Sequence, residues 1–417
     1  MRVATAGPPA GARICMPTWR RFSKKVFECG LYEAQDVLVS TGDVHLLPLD
    51  AAAGFRTRER WLNRLLHRDP WFLFGRTNPG LEPVWLDRDY DLLLTYCETF
   101  EDLLYLNALR NWKQRCRTSA CWVDEIWATS LAKYSYWIPL FRQFDHVFVG
   151  HRQSAIALSA AVGRPVHFLP AAVDTLRFTP FPNPAPKVVD FFSVGRRAEG
   201  IHRELRRLSS DGHLYYVFDT FKASVADVYD PVEHRELLAN TAKRSRFFLV
   251  APPKFDALTE TGGETAIGFR YFEGSAAGAV LFGQRCSSED FDALFDWPDA
   301  VVEIRPDGTD LEPTLAALQS EPARVAAIGR RNGVEALRRH DWIYRWHEIL
   351  DQVGLSPSPG MCRREAQLRR LAGIAEGTAP PSSDAASEPA PAKGLAGNER
   401  DWTDIASGQR QAVRSRA

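Results

Sequence analysis

The chain has 417 residues, and 52 Lys+Arg balance 52 Asp+Glu, so the formal net charge is zero. Nothing global therefore points to nucleic acid or another polyanion as a partner, and any anion site has to be local. Hydrophobic residues at 45% and charged residues at 25% are ordinary for a globular protein, and the length suggests two or three domains, each able to bury a core.

The first stretch, residues 1–90, is irregular. A helical segment (KKVFECGLYEAQDVL) is followed by the strand-like VHLLPL. Next comes a basic, aromatic-rich segment, RTRERWLNRLLHRDPWFLFGR. It sets Trp61, Leu62, Leu65, Trp71 and Phe72 against a charged side, which suits packing on the first domain or, as the rival reading, peripheral contact with a membrane surface. No apolar run precedes Pro17, so no cleaved leader is expected. No stretch approaches the roughly 18–20 apolar residues of a membrane span.

From residue 91 onward, short apolar runs alternate with helical stretches. The runs are residues 91–96 (DLLLTY), 146–149 (HVFV), 166–169 (VHFL), 188–194 (VVDFFSV), 214–218 (LYYVF), 247–251 (FFLVA) and 279–282 (AVLF). Continuous apolar runs fit strands covered on both faces, and alternation with helices implies parallel sheets with right-handed crossovers. The series falls into two sets, which suggests two doubly wound domains. Residues 174–186 hold four prolines and read as the linker, giving expected domains 1–173 and 174–354. A last helix over residues 332–353 is expected to break near HDW. Residues 372–417 are rich in Pro, Ala, Ser and Gly and read as a disordered tail.

Cysteine usage fits a cytoplasmic protein. Cys15, Cys29, Cys97, Cys116, Cys121, Cys286 and Cys362 are odd in number and contain no CxxC pair, against both a disulfide framework and a zinc knuckle. The ten histidines offer no pair at metal-ligand spacing, so no metal and no bound cofactor are expected.

The most informative text is residues 259–283, TETGGETAIGFRYFEGSAAGAVLFG. A Gly-Gly loop precedes a helix, and a strand follows at once. Gly262 and Gly263 would let the backbone approach a phosphate, and a helix N-terminus supplies unpaired N–H groups and a positive dipole end. Arg270 adds a bidentate fork. A carboxylate one turn on, Glu273, suits a pair of ribose hydroxyls. A second cluster, ACWVDEIWA, sets Asp124 and Glu125 among Trp122, Trp127 and Tyr134. Indole faces stack on sugars and carboxylates accept from hydroxyls, so this cluster is expected to face an acceptor. Solvated helix charges and ordinary loop glycines are the bland readings of the same residues.

The text RYFEGSAAG resembles the donor-site helix of group 1, family 4-like retaining GT-B glycosyltransferases, more closely their spore-maturation-like branch. FLPAAVDTLRFTP, DFFSVGRR and HDWIYRWHEIL are similar, in order, to that family's linker, first loop of the second domain and C-terminal helix. The resemblance covers roughly residues 145–352. It implies two Rossmann-like α/β domains facing a cleft, with a C-terminal helix crossing back to the first. It also implies a metal-independent transfer, with retention, from a nucleoside-diphosphate sugar to a hydroxyl acceptor in glycan or glycoconjugate biosynthesis. Glu273 matches the family's ribose glutamate. Arg196 matches the diphosphate arginine, with Arg197 beside it and Arg203 near a second basic ligand. The family's first glutamate falls at Thr265, with Glu264 one residue off as the catalytic candidate beside Asp124 and Glu125. The rival of another class is an inactive GT-B-like scaffold that keeps the nucleotide pocket, favoured by the irregular first domain and by the missing first glutamate. An epimerase or an inverting transferase is a third reading.

Overall fold

The computed structural model describes residues 11–66, 74–133, 135–220 and 226–379. Among them the strands form two parallel sheets of six and five strands. In the first, β1 (Ile14–Thr18), β2 (Val44–Pro48), β3 (Tyr90–Cys97), β4 (Cys116–Val123), β5 (His146–Val149) and β6 (His167–Phe168) take the order β2-β1-β3-β4-β5-β6. In the second, β7 (Val189–Ser193), β8 (Tyr216–Phe218), β9 (Ser245–Val250), β10 (Val280–Gly283) and β11 (Val302–Glu303) take the order β11-β10-β9-β7-β8. Each sheet therefore reverses its strand order once, between β1 and β3 and between β7 and β9. In a doubly wound sheet such a switch point opens a crevice at the carboxyl ends of the strands.

The helices that frame these crevices are α1 (Cys29–Val39), α2 (Phe55–Leu66), α3 (Ala128–Lys133), α4 (Arg152–Val162), α5 (Glu199–Ser210), α6 (Pro231–Lys243), α7 (Phe269–Ala276), α8 (Pro322–Arg339), α9 (Trp342–Gln352) and α10 (Pro359–Glu376). Their ends are locally encoded. Asp230 caps α6 by accepting from the Val232 and Glu233 N–H groups, with Pro231 at the first helical position. The expected break at HDW is the junction of α8 and α9, where Asp341 accepts from the Ile343 N–H.

α9 crosses back to the first domain. Trp342 and Trp346 are fully buried against the stacked Tyr96 and Trp122 rings, whose centroids lie 4.2 Å apart, and Trp346 Nε1 donates to the Ala34 carbonyl at 3.1 Å. Arg364 of α10 closes the joint by pairing with Asp174 and Asp341. One hydrophobic cluster consequently runs from β1 to Ala375 through both domains.

Three expectations meet differences here. The stretch expected to be irregular supplies β1 and β2 to a six-stranded parallel sheet, and β1 and β4, inner strands of that sheet, were not among the expected strands. α10 stays helical to Glu376, past the start expected for a disordered tail, because Leu368, Ala372 and Ala375 recur at helical spacing on a buried face. Residues 380–417 lie outside the described residues. On α2, Phe55, Leu62 and Leu66 are buried in the first-domain core, whereas Trp61 and Leu65 are exposed; Trp71 and Phe72 lie outside the described residues. No described helix is long and apolar enough to cross a membrane.

Candidate functional site

The carboxyl ends of the two sheets are turned toward each other, as the contacts between their loops show. After β1, Lys25 bridges to Asp227 beyond β8, and the Val26 N–H donates to the Ala226 carbonyl at 3.0 Å. After β4, Glu125 pairs with Lys254 beyond β9 at 2.7 Å, and Thr129 Oγ1 donates to the Glu260 carbonyl at 2.8 Å. Lys254 adopts φ 52°, uncommon for a residue with a side chain, in the loop that reaches across.

At the second switch point the loop after β7 is built around Gly195, whose φ is 68°. Its N–H donates to Asp219 Oδ2 at 2.8 Å, while Arg197 grips the same residue through Oδ1 (2.9 Å) and the backbone carbonyl (2.7 Å). Arg196 pairs with Asp256 at 2.5 Å, and the pair spans the β7–β9 crevice. Beneath the loop, Arg270 Nη1 donates to the carbonyls of Val194 (2.8 Å) and Arg196 (2.6 Å). A pocket between these loops is lined by Arg196, Arg197, Ala251 and Gln284. α7 has Gly268 as its N-cap with no side-chain cap, and the Tyr271 N–H turns back to the Gly268 carbonyl at 3.2 Å. The helix packs tightly on the sheet at Gly274, where a Cβ would collide with Leu281 and Phe248.

Glu273 lies on α7, 3% exposed. It pairs with Arg235 of α6, which also forks onto Glu33 of α1 at 2.8 and 3.0 Å. Glu33 in turn accepts from the Asp174 N–H and from Trp342 Nε1. The expected ribose ligand is thus one end of a buried carboxylate–guanidinium–carboxylate chain between the domains.

At the first switch point, acids collect. Glu98 directly follows β3, is 7% exposed, and its Oε2 has no hydrogen-bond partner. Burial, with the charges of Asp124, Glu125 and Asp102, raises its carboxyl well above the ordinary range. Asp102 accepts from the Glu98 and Thr99 N–H groups at 3.1 and 3.2 Å, yet burial and Glu28 push it up to about 7. Asp124 rises to about 7 through burial and Glu125, and takes a long hydrogen bond of 3.4 Å from the Tyr96 hydroxyl. Glu98 and Asp102 border a cavity of about 290 Å³.

The structure relocates several expected site residues. Gly262 and Gly263 do not open α7. They follow a short helix, Leu258–Thr261, and Gly262 presses on α3, where a Cβ would collide with Thr129. Glu264 is not beside the donor loop: it is buried and accepts from the Ala128 N–H of α3 at 3.2 Å, a contact between domains. Glu125 is committed to Lys254 and Trp127 Nε1. Arg203 lies on the exposed side of α5. Arg270 supports the loop rather than standing as a free phosphate fork. Tyr134 lies outside the described residues. Arg196, Arg197 and Asp124 are brought to the facing sheet ends. Glu98 and Asp219 went unnoticed, although each directly follows a predicted strand, and the switch-point rule applied to strand ends would have singled them out.

Two Rossmann-like domains with their ligand-binding edges face to face make the GT-B fold. Residues 197–351, the bulk of the second domain, match the family described as glycosyl transferase-like. No curated protein matches the chain by sequence. Among solved structures the chain is similar to an α-glucosyltransferase in complex with UDP and a 13-mer DNA containing an HMU base (TM-score 0.48, 11% identity, 82% of this chain and 99% of that one). It is also similar to a glycosyltransferase from Rickettsia africae (0.46, 9%, 82% and 97%). A third is a UDP-forming α,α-trehalose-phosphate synthase from Burkholderia xenovorans (0.43, 11%, 79% and 82%).

Proposed function

We propose that this protein moves a sugar from a nucleoside-diphosphate sugar to a hydroxyl of an acceptor, with retention and without a metal. The observation that carries the reading is the opposition of two crevices of unlike charge: Arg196 and Arg197 at the second switch point, Glu98 and its neighbours at the first. The diphosphate lies between the Gly195 loop and the N-terminus of α7, where fixed N–H dipoles and guanidinium groups stabilise the departing charge. That is the charge compensation a metal would otherwise supply. Arg235 takes Glu273 Oε1, leaving Oε2 for the ribose. Glu98, Asp102 and Asp124 meet the acceptor. Retention rests on the resemblance of residues 168–180 and 270–278 to retaining enzymes. The complete first sheet speaks against the irregularity that favoured an inactive scaffold, and the missing first glutamate at Thr265 is the ground that stays with that reading. A membrane contact would rest on Trp61 and Leu65 of α2, the exposed apolar side chains of that segment.

Calorimetric titration with UDP, GDP, TDP and ADP and their glucose conjugates tests the donor pocket, because a ligand bound only by the folded state stabilises it. One nucleotide is expected to saturate. Glu273→Gln is the informative variant, since alanine would leave Arg235 half-paired in the core. It should weaken the preferred nucleotide roughly tenfold, about 1.4 kcal/mol, the scale of one hydrogen bond to a charged group. Full affinity in Glu273→Gln would remove the ribose assignment. Proton NMR of the product's anomeric centre decides retention, and absence of turnover with every donor would return the scaffold reading.

A further inference from the structure

The cavity at the first switch point has a chemistry that narrows the acceptor. Its acids come from three elements: Glu28 ahead of α1, Glu59 on α2, and Glu98, Glu101 and Asp102 beyond β3. Two cations, Lys25 and Arg56, share the lining, so carboxyls outnumber bases five to two. Most of these groups already have structural work. Glu28 accepts from Ser23 Oγ (2.8 Å) and the Lys25 N–H (3.0 Å). Glu59 accepts from the Tyr105 hydroxyl (2.6 Å) and from Arg56 (3.2 Å). Asp102 caps the turn after β3. Glu98 differs: its backbone N–H is used by Asp102, its side chain belongs to the cavity lining, and its Oε2 is buried and touches no donor. A buried polar atom without a partner costs about 1–3 kcal/mol, which a ligand donor would recover.

Charge decides which donor. A phosphate or carboxylate would enter against five acids. A neutral hydroxyl would satisfy Oε2 but bring no charge to a lining richer in carboxyls than in bases. An ammonium does both, since opposite charge within ~4–6 Å favours the ionised carboxyl. Tyr105 and Phe27 supply aromatic wall for a ring face, and about 290 Å³ lies at the lower end of the range for small-molecule sites (about 300–1,000 Å³).

We propose that this cavity binds an acceptor bearing a protonated amine beside its hydroxyls, an amino sugar or aminocyclitol, with Glu98 as the carboxylate that receives the ammonium. The inference deepens the transferase reading by naming its acceptor class, and its test needs neither donor nor turnover. On binding, the Glu98 carboxyl O–H releases its proton to solvent and the carboxylate pairs with the incoming ammonium; no other bond changes. The charges facing Glu98 are Asp102 on its own loop, Asp124 and Glu125 beyond β4, and Glu28 ahead of α1.

The experiment titrates the full chain, without nucleotide, with glucosamine, kanamycin, N-acetylglucosamine and glucose 6-phosphate near neutral pH. Calorimetry in two buffers of different ionisation enthalpy reads proton exchange. The amines are expected to bind with net proton release, N-acetylglucosamine and glucose 6-phosphate at least tenfold more weakly. Glu98→Gln is expected to lose the preference for amines while still binding the nucleotide that the wild type prefers. Equal binding of the acetylated sugar, tighter binding of the phosphate, proton uptake, or no binding of either amine would each overturn the proposal. Amine binding without any nucleotide binding would leave this inference standing and remove the transferase reading instead.

Discussion

In the first sheet, the crevice between β1 and β3 opens on Glu98, Asp102 and Glu28. In the second, the crevice between β7 and β9 opens on Arg196, Arg197 and Lys254. The topology is the same in both: a central strand, its partner on one side, then a crossover to the other side. The backbone therefore provides two equivalent places where a ligand can settle, and side-chain charge alone assigns them, anion to one and acceptor to the other. Where the sheets face each other, the excess charges are also used to hold the domains together, in Glu125–Lys254 and in Glu33–Arg235–Glu273.

That last chain gives the sharpest way to break the comparison. Arg235→Met leaves two buried carboxylates unpaired between the domains, and removing one partner of a buried ion pair costs about 3–5 kcal/mol. Urea unfolding should register that loss, and a change below about 1 kcal/mol would show that the chain does not couple the two domains. Next is the acidity of the first crevice. In the folded protein the Asp102 carboxyl holds its proton up to about 7, against an ordinary value of 3.8. Protonation therefore favours folding. The contribution is fully present below pH ~4 and is lost as pH rises through about 7, on the order of 4 kcal/mol for a rise from 3.8 to about 7. Asp102→Asn should flatten the stability–pH curve across that window; an unchanged slope would contradict the assignment.

A smaller effect is expected from Arg196→Ala, which removes one guanidinium from the donor crevice. UDP affinity, or that of whichever nucleotide binds, should fall roughly tenfold, about 1.4 kcal/mol. Stability should move by less than about 1 kcal/mol, because the Arg196–Asp256 pair is solvent-exposed. The smallest is Lys254→Ala. Its pairs with Glu125 and Glu260 are partly exposed, so the stability loss should stay below about 1 kcal/mol in denaturant titrations, and high salt should erase most of it.

Apolar runs in the sequence were enough for most strands, because a strand covered on both faces is apolar along its length, as 91–96 and 247–251 largely are. They missed the two-residue β11 and failed at β1 and β4. There Pro17, Thr18, Arg117 and Ser119 interrupt the run, and only pairing on both sides of the strand makes it one. Local chemistry likewise settled the helix ends, through Asp230, Asp341 and Pro359, since capping is a matter of neighbouring residues. The loop arginines Arg196 and Arg197 were legible through the resemblance of DFFSVGRR to a family loop.

What the sequence could not decide is which charges meet. Glu33 and Arg235 are separated by 202 residues, and Glu264 meets the Ala128 N–H across 136. Glycine spacing suggested a phosphate cradle at Gly262 and Gly263, whereas the fold presses Gly262 against Thr129. Glu273 stood out by its place in a motif, yet its burial beside Arg235 depends on a helix from elsewhere in the chain. Composition, most strands and caps are properties of short stretches and were written in the sequence. The identity of each carboxylate as latch, cap or ligand-facing group is a property of distance in space, and packing alone set it.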